Sequence, residues 1–262
     1  MLIALTRPVS PSLAQCELTH LSREPIDVPL ATAQHADYEH LLSSLGATVM
    51  RVAAAPELPD AVFIEDTAVV LAELAVITRP GARSRRDESA AVALALAAYR
   101  PVHSLNAPAT LDGGDVLQVG HTLYVGCSGR TNEHGMDQLR DIVAPFEYRV
   151  VPVEFTGCLH LKSAVTTVAA DLLLLNPAWV SAAGFPDCQV LLVDDREPYA
   201  ANALRIADTI LYPSQFPRTR ERLIQRGLRV ATVDCGELAK AEGAVTCCSL
   251  VFEASLRDGD CS

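Results

Sequence analysis

Glu242-Gly-Ala-Val-Thr-Cys-Cys-Ser-Leu-Val-Phe252 closes on an apolar run that predicts a strand over 246–252, with no partner close to it in the chain. Candidate partners stand at the opposite end: a strand at 2–5, a helix at 31–45 and a strand at 48–53. Joining the two termini in one sheet completes the set. Taken alone, the double cysteine reads as two small buried side chains, since unpaired Cys is among the most buried residue types. The Gly243-Ala244 approach also suits a nucleophile exposed at a strand end.

Outward from that stretch, the hydrophobic pattern repeats two short strands, a helix and a third strand. One unit runs 67–71, 73–78, helix 86–99 and 101–105, and the next runs 115–119, 122–125, helix 131–145 and 148–153. A third has 164–168, 172–175, a short helical piece and 190–193. The fourth has 203–206, 209–212, helix 217–225 and 228–233. The split unit is the fifth, and pairing the chain ends closes a circular array. A doubly wound α/β sheet would join parallel strands by helices and would not place a hairpin in each unit, so the ring is favoured. No linker divides the chain, so 1–262 reads as one domain.

The repeat brings polar residues into register. Glu65-Asp66 precede the first strand of one unit, Asp112 follows 47 residues after Glu65, and His160 follows 48 after Asp112. Cys247 opens the first strand of the split unit. If first strands line the axis, these side chains meet at one end of it. Arg85 and Arg130 each stand four residues after a Gly, between a hairpin and a helix. Two guanidinium forks near helix N-termini suit a carboxylate, whereas Arg85 beside Arg83 and Arg86 also fits an exposed basic turn. The long connection 8–29, with Leu18 in its middle, reads either as a lid or as a surface loop. The polar end 255–262 reads as frayed.

Composition sets the class. With half its 262 residues hydrophobic and a fifth charged, the chain is an ordinary globular one. A net charge of −11 with no basic stripe argues against a nucleic-acid partner and mildly favours a cationic small molecule. The N-terminus resembles neither a signal peptide nor a membrane span, and the eight cysteines show no disulfide framework, so a cytoplasmic protein with reduced thiols is expected. No metal site is expected, because the seven histidines lack zinc-type spacing.

Asp60-Ala-Val-Phe-Ile-Glu-Asp66, Leu111-Asp-Gly-Gly-Asp-Val116, Ser128-Gly-Arg-Thr-Asn132, His160-Leu-Lys-Ser163 and Gly243-Ala-Val-Thr-Cys-Cys-Ser249 together resemble the dimethylarginine dimethylaminohydrolases. Those belong to the guanidine-modifying enzymes, whose fold is a five-unit α/β propeller, the pentein fold. The resemblance implies hydrolysis of dimethylated and monomethylated L-arginine to citrulline plus the methylamine, through a covalent thiouronium, with no cofactor and no metal. It implies Cys247 as nucleophile, His160 as general acid/base and Asp112 as the carboxylate that orients it. Leu18, Asp60, Glu65, Asp66, Arg85, Arg130 and the backbone of Ala241 match the family's substrate-binding positions. Strand alternation agrees that only one of the two cysteines faces the axis. The assembly expected is a monomer or a homodimer through outer helices.

Two alternatives stay open. Arginine deiminases and amidinotransferases share the fold, but the deiminase His motif commonly reads His-x-Asp where this chain has His160-Leu-Lys162. A dimethylated nitrogen has no N–H to offer, so an acid left unpaired there would be costly. A non-catalytic binding protein on the same propeller would not need Cys, His and acids in register.

Overall fold

The computed structural model describes residues 1–254; the stretch 255–262, expected to fray, lies outside the described residues. The chain opens with β1 (Leu2–Thr6), α1 (Val28–Ser44) and β2 (Thr48–Arg51). Four units follow: β3 (Ala68–Val70), β4 (Ala75–Ile77), α2 (Ser89–Ala97) and β5 (Val102–Ser104); then β6 (Val116–Val119), β7 (Thr122–Cys127), α3 (Glu133–Val143) and β8 (Arg149–Glu154). The third has the short α4 (Leu161–Ala164), β9 (Val165–Ala169), β10 (Leu172–Leu175) and β11 (Gln189–Leu192). The fourth has β12 (Leu204–Ile206), β13 (Thr209–Pro213), α5 (Pro217–Gln225) and β14 (Arg229–Val233), and α6 (Gly236–Ala239) and β15 (Leu250–Glu253) are the last elements of the described residues.

These strands form five three-stranded sheets of one pattern, in which the first strand is antiparallel to the second and the second parallel to the third. In the fifth sheet β15 takes the first place: Leu2 to Leu5 pair antiparallel with Glu253 to Leu250, while Ile3 to Thr6 pair parallel with Thr48 to Arg51. The two ends of the chain therefore share one sheet, as the orphan strand required.

Local chemistry sets the boundaries. The Asp27 carboxylate accepts from Leu30 N at 3.0 Å to open α1, with Pro29 in the first turn, and Asn132 caps α3 through Gly135 N at 2.9 Å. Gly120, at φ +56°, makes the two-residue hairpin between β6 and β7. Between β10 and β11 the helical piece is a single 3-10 turn, Ala182–Gly184, because Pro177 and Pro186 leave no room for a longer helix. The apolar residues gather into five clusters, each drawing on two neighbouring sheets; one joins the split sheet to β3 and β4, another joins it to the sheet of β12–β14.

Most boundaries shift by one to three residues, and one shift bears on the site. The final strand begins at Leu250, not at 246, and Cys247 lies in a turn closed by its N–H on the Ala244 carbonyl at 3.1 Å. Side chains stabilise that turn in place of a partner strand. Tyr38 Oη bonds the Val245 carbonyl at 2.8 Å, and Asn202 Oδ1 accepts from Thr246 N at 3.0 Å. Strand alternation therefore cannot be what separates Cys247 from Cys248.

The fifth sheet carries Phe252 in the join to α2, its ring edge-on to Tyr99 and under the Arg100 guanidinium at 4.4 Å. Phe252→Ala is expected to lower stability by about 3–5 kcal/mol in urea unfolding, since the buried site cannot collapse onto the lost ring.

Candidate active site

The residues in register sit on equivalent helical turns, each just ahead of a first strand. Glu65 and Asp66 lie in the 3-10 turn Ile64–Thr67 before β3. Asp112 immediately precedes the turn Gly113–Asp115 before β6, His160 immediately precedes α4 before β9, and Cys247 occupies the turn before β15. The first and last are tied directly, by Glu65 N donating to the Cys247 carbonyl at 3.1 Å.

His160 is buried between two carboxylates. Its Nε2 lies 3.0 Å from Asp112 Oδ2 and its Nδ1 lies 3.6 Å from Asp66 Oδ1. Burial opposes a charge on the imidazole, but Asp66 and Asp112, with Asp115 behind them, outweigh it and raise its pKa to about 9. Burial likewise opposes the charge of Asp66, yet His160 and Arg85 hold that carboxyl down at about 2. At neutral pH the pair is an imidazolium facing a carboxylate. The close approach requires Gly114: a Cβ there would stand 2.7 Å from both Asp66 Oδ1 and His160 Nδ1.

Cys247 is buried, and desolvation followed by the charges of Glu65 and Asp66 pushes its thiol well above the ordinary range. Lys162 acts the other way. Its ammonium donates to Glu65 Oε1 at 2.6 Å while the Thr246 hydroxyl donates to Glu65 Oε2 at 2.8 Å. Cys248 is more deeply buried, and its Sγ faces the Ala244 carbonyl at 3.5 Å.

A narrow cleft with about 20 Å³ of free volume brings together Asp60, Asp66, Arg85, Arg130, His160, Ala241 and Cys247. Leu18, Glu65 and Asp112 are not on its wall. Leu18 is half-buried over the core beside α1, Glu65 is held by Lys162 and Thr246, and Asp112 is fully buried behind His160, where Gly81 N also donates to it at 2.9 Å. The two arginines differ as well. Arg85 is buried and engaged with Asp66 and Glu88, not part of an exposed turn. Arg130 donates to Thr19 Oγ1 at 3.2 Å and keeps a buried Nη1 without a hydrogen-bond partner, 3.7 Å from Asp112. Asp66, Asp112 and His160 come close enough to chelate a cation. Arg85 on Asp66 Oδ2 and Gly81 on Asp112 Oδ1 already engage the second oxygen of each carboxylate.

A family model described as N,N dimethylarginine dimethylhydrolase, eukaryotic, matches residues 19–182. A Streptomyces coelicolor protein named N(G),N(G)-dimethylarginine dimethylaminohydrolase is 40% identical over 94% of this chain and 95% of its own. The chain belongs to the dimethylarginine dimethylaminohydrolase family. A solved Pseudomonas aeruginosa member of that family, a cysteine-to-serine variant complexed with citrulline, superposes with a TM-score of 0.91 at 32% identity, covering 95% of this chain and 98% of that one. The N-terminal domain of a cyanobacterial arginine dihydrolase matches in fold alone, with a TM-score of 0.82 at 20% identity over 97% and 98% of the two chains. Among the described residues, no helix is long and apolar enough to cross a membrane.

Two residues of this family member escaped the sequence reading. Asp115 is fully buried and accepts Leu161 N at 3.0 Å, the Ser128 hydroxyl at 2.5 Å and the Thr131 hydroxyl at 2.6 Å. It fixes the first turn of α4 and so aims His160; the second acid of Asp112-Gly-Gly-Asp115 was its only signal. Glu242, at φ +59°, takes the backbone N–H groups of Thr19, His20 and Leu21 at 3.0, 2.5 and 2.6 Å. No sequence pattern marks a carboxylate that binds a loop more than 200 residues away. Glu242 and Leu159 also divide the cleft from a larger cavity of about 380 Å³, which His20 and Leu21 help to cover and which holds neither Cys247 nor His160.

His160 is expected to titrate near pH 9 by NMR, and in Asp112→Asn at lower pH, because the cation loses its nearest anion. Glu242→Ala removes the acceptor of three loop N–H groups, so tryptic cleavage after Arg23 is expected to be several-fold faster than in the parent protein.

Proposed function

We propose that this chain hydrolyses NG,NG-dimethyl-L-arginine and NG-monomethyl-L-arginine to L-citrulline and the corresponding methylamine, with Cys247 as nucleophile. The observation that carries this reading is an imidazolium held between Asp66 and Asp112 in a cleft that also contains a buried thiol, in a chain of this family. A guanidinium carbon is a poor electrophile for water, and a sulfur nucleophile divides the reaction into two easier displacements.

Asp66, on the wall of the cleft, accepts from the guanidinium. Asp112 acts through His160 and does not touch substrate. Arg130, with its unpartnered Nη1, receives the α-carboxylate, and Asp60 with the Ala241 carbonyl receives the α-ammonium. Binding of the cation offsets the carboxylates that keep Cys247 protonated, and the thiol proton leaves to solvent. Sulfur adds to the carbon, His160 protonates the departing dimethylamine, and a planar thiouronium remains. Water then adds to it with His160 taking one proton, and collapse breaks the C–S bond while the hydroxyl proton passes to the leaving sulfur, which releases citrulline and restores the Cys247 thiol.

Lys162 supports the methylated substrate over arginine. It leaves no acid at that position to require an N–H, and it occupies Glu65. The five sheets close as a propeller ring, a single catalytic domain, supported by the clusters at the joins between neighbouring sheets. The stretch Glu17 to Leu21, held by Glu242 over so narrow a cleft, opens as a lid for substrate to enter.

Steady-state kinetics on dimethylarginine test the reading. Cys247→Ser is expected to lose at least a thousand-fold in kcat and Cys248→Ser less than about ten-fold; an inactive Cys248→Ser with an active Cys247→Ser would reverse the assignment. A cationic amidine reagent is expected to inactivate the protein at pH 7 much faster than a neutral alkylator of equal intrinsic reactivity. Equal rates would remove the role given to the cation.

A further inference from the structure

Arg85 and Glu88 are three residues apart on the 3-10 turn Arg83–Glu88, a spacing at which side chains on such a turn stand in line. Glu88 is almost fully buried and lies outside the cleft wall. It holds Arg85 with both oxygens, Nε at 3.0 Å and Nη2 at 2.8 Å, so that Nη1 is presented to Asp66 Oδ2 at 2.5 Å. The carbonyls of Phe63 and Asp60 take Nη2 as well, at 3.0 and 3.3 Å. Behind Glu88 lies Arg7, 1% exposed, whose Nη2 donates to the Glu88 carbonyl at 3.1 Å while its Nε and Nη1 have no partner.

The result is a buried row of alternating charge: Arg7, Glu88, Arg85, Asp66 and protonated His160. Stability alone is a poor reason for such a row, because charges removed from water seldom regain their hydration through pairing. Its geometric consequence is specific. Without the Glu88 carboxylate, two buried guanidinium groups share fewer anions, and Arg85 is left to draw on Asp66, the same carboxylate that faces His160. The charged groups around Glu88 are Arg7, Arg85, Asp60 and Asp66, and those around His160 are Asp66, Asp112 and Asp115.

We infer that Glu88 is a positioning residue: it fixes Arg85 so that Asp66 stays turned toward His160 and the substrate guanidinium. The part played by Asp66 in turnover rests on the proposed function, whereas its orientation toward His160 can be measured without turnover. Glu88→Gln keeps the size of the side chain and one acceptor while removing the charge. Losing that anion and leaving Arg85 less neutralised both disfavour the imidazolium, so the two effects have one sign.

The experiment compares parent, Glu88→Gln, Arg85→Gln and the double variant, with circular dichroism as the check on folding. In Glu88→Gln the His160 imidazole is expected to titrate at lower pH by NMR. Its kcat/KM on dimethylarginine is expected to fall about ten-fold or more, with the basic limb of the pH profile moved to lower pH. In the Arg85→Gln background, Glu88→Gln should change neither quantity further, because Glu88 acts through that arginine. A folded Glu88→Gln protein with the parent's His160 titration and pH profile would overturn the inference, as would fully additive effects. If Glu88→Gln does not fold, Glu88→Asp keeps the charge but reaches one methylene less; a loss of rate supports the inference and the parent's rate overturns it. A parent protein inactive on dimethylarginine would refute the functional reading, and the His160 titration would then decide the place of Glu88 by itself.

Discussion

The antiparallel pairing of Leu2–Leu5 with Leu250–Glu253 is the constraint on which the site depends. It seats β15 beside β3 and sets the Cys247 turn against the Glu65 turn, where a backbone hydrogen bond of 3.1 Å joins them. Without that sheet the proposed nucleophile would hang on a terminal segment, while Asp66, Asp112 and His160 come from three consecutive units. The pairing spans almost the whole chain, so it forms at a high loop-closure cost. The clusters of Ile3, Leu5 and Phe252 on one side and Ala4, Tyr38 and Val245 on the other offset that cost.

Charge organises what the sheets bring together. His160 is held cationic by Asp66 and Asp112, while burial, and after it the charges of Glu65 and Asp66, keep the Cys247 thiol protonated. In the proposed mechanism His160 is therefore ready to donate a proton while the Cys247 thiol is held back, and binding of a cation shifts that balance. Such a site needs its carboxylates immobile, and the backbone supplies much of the restraint: Gly114 N fixes Asp66, Gly81 N fixes Asp112, and Asp115 fixes the turn that carries His160.

The segment over the cleft obeys a different rule. Three consecutive N–H groups, from Thr19 to Leu21, converge on a single carboxylate, while Leu18 packs against the core and Arg130 holds the Thr19 hydroxyl. Glu242 is also next to Ala241, which lines the cleft. One short stretch thus carries a wall of the cleft and the anchor of the loop beside it, so the proposed opening of that loop would bear on the shape of the cleft.

Much of this was legible in the sequence. Hydrophobic period and turn residues determined the five similar units, and an unpartnered strand after 246 required the termini to share a sheet, because a strand cannot leave its hydrogen bonds unmade in a core. The spacing of Glu65, Asp112 and His160 placed them on equivalent turns. What the tertiary structure alone decided is which atoms meet. It moved the start of the last strand to Leu250 and put Cys247 on a turn, since Tyr38 and Asn202 bond that backbone where no strand is available. It set Asp112 behind His160, gave Glu65 to Lys162, bound Arg85 to Glu88 and Asp66, and joined Glu242 to the loop at Thr19. Periodicity reports which face of an element is buried. The partner of a buried charge is chosen by distance and desolvation across units far apart in sequence, and these exist only once the chain has folded.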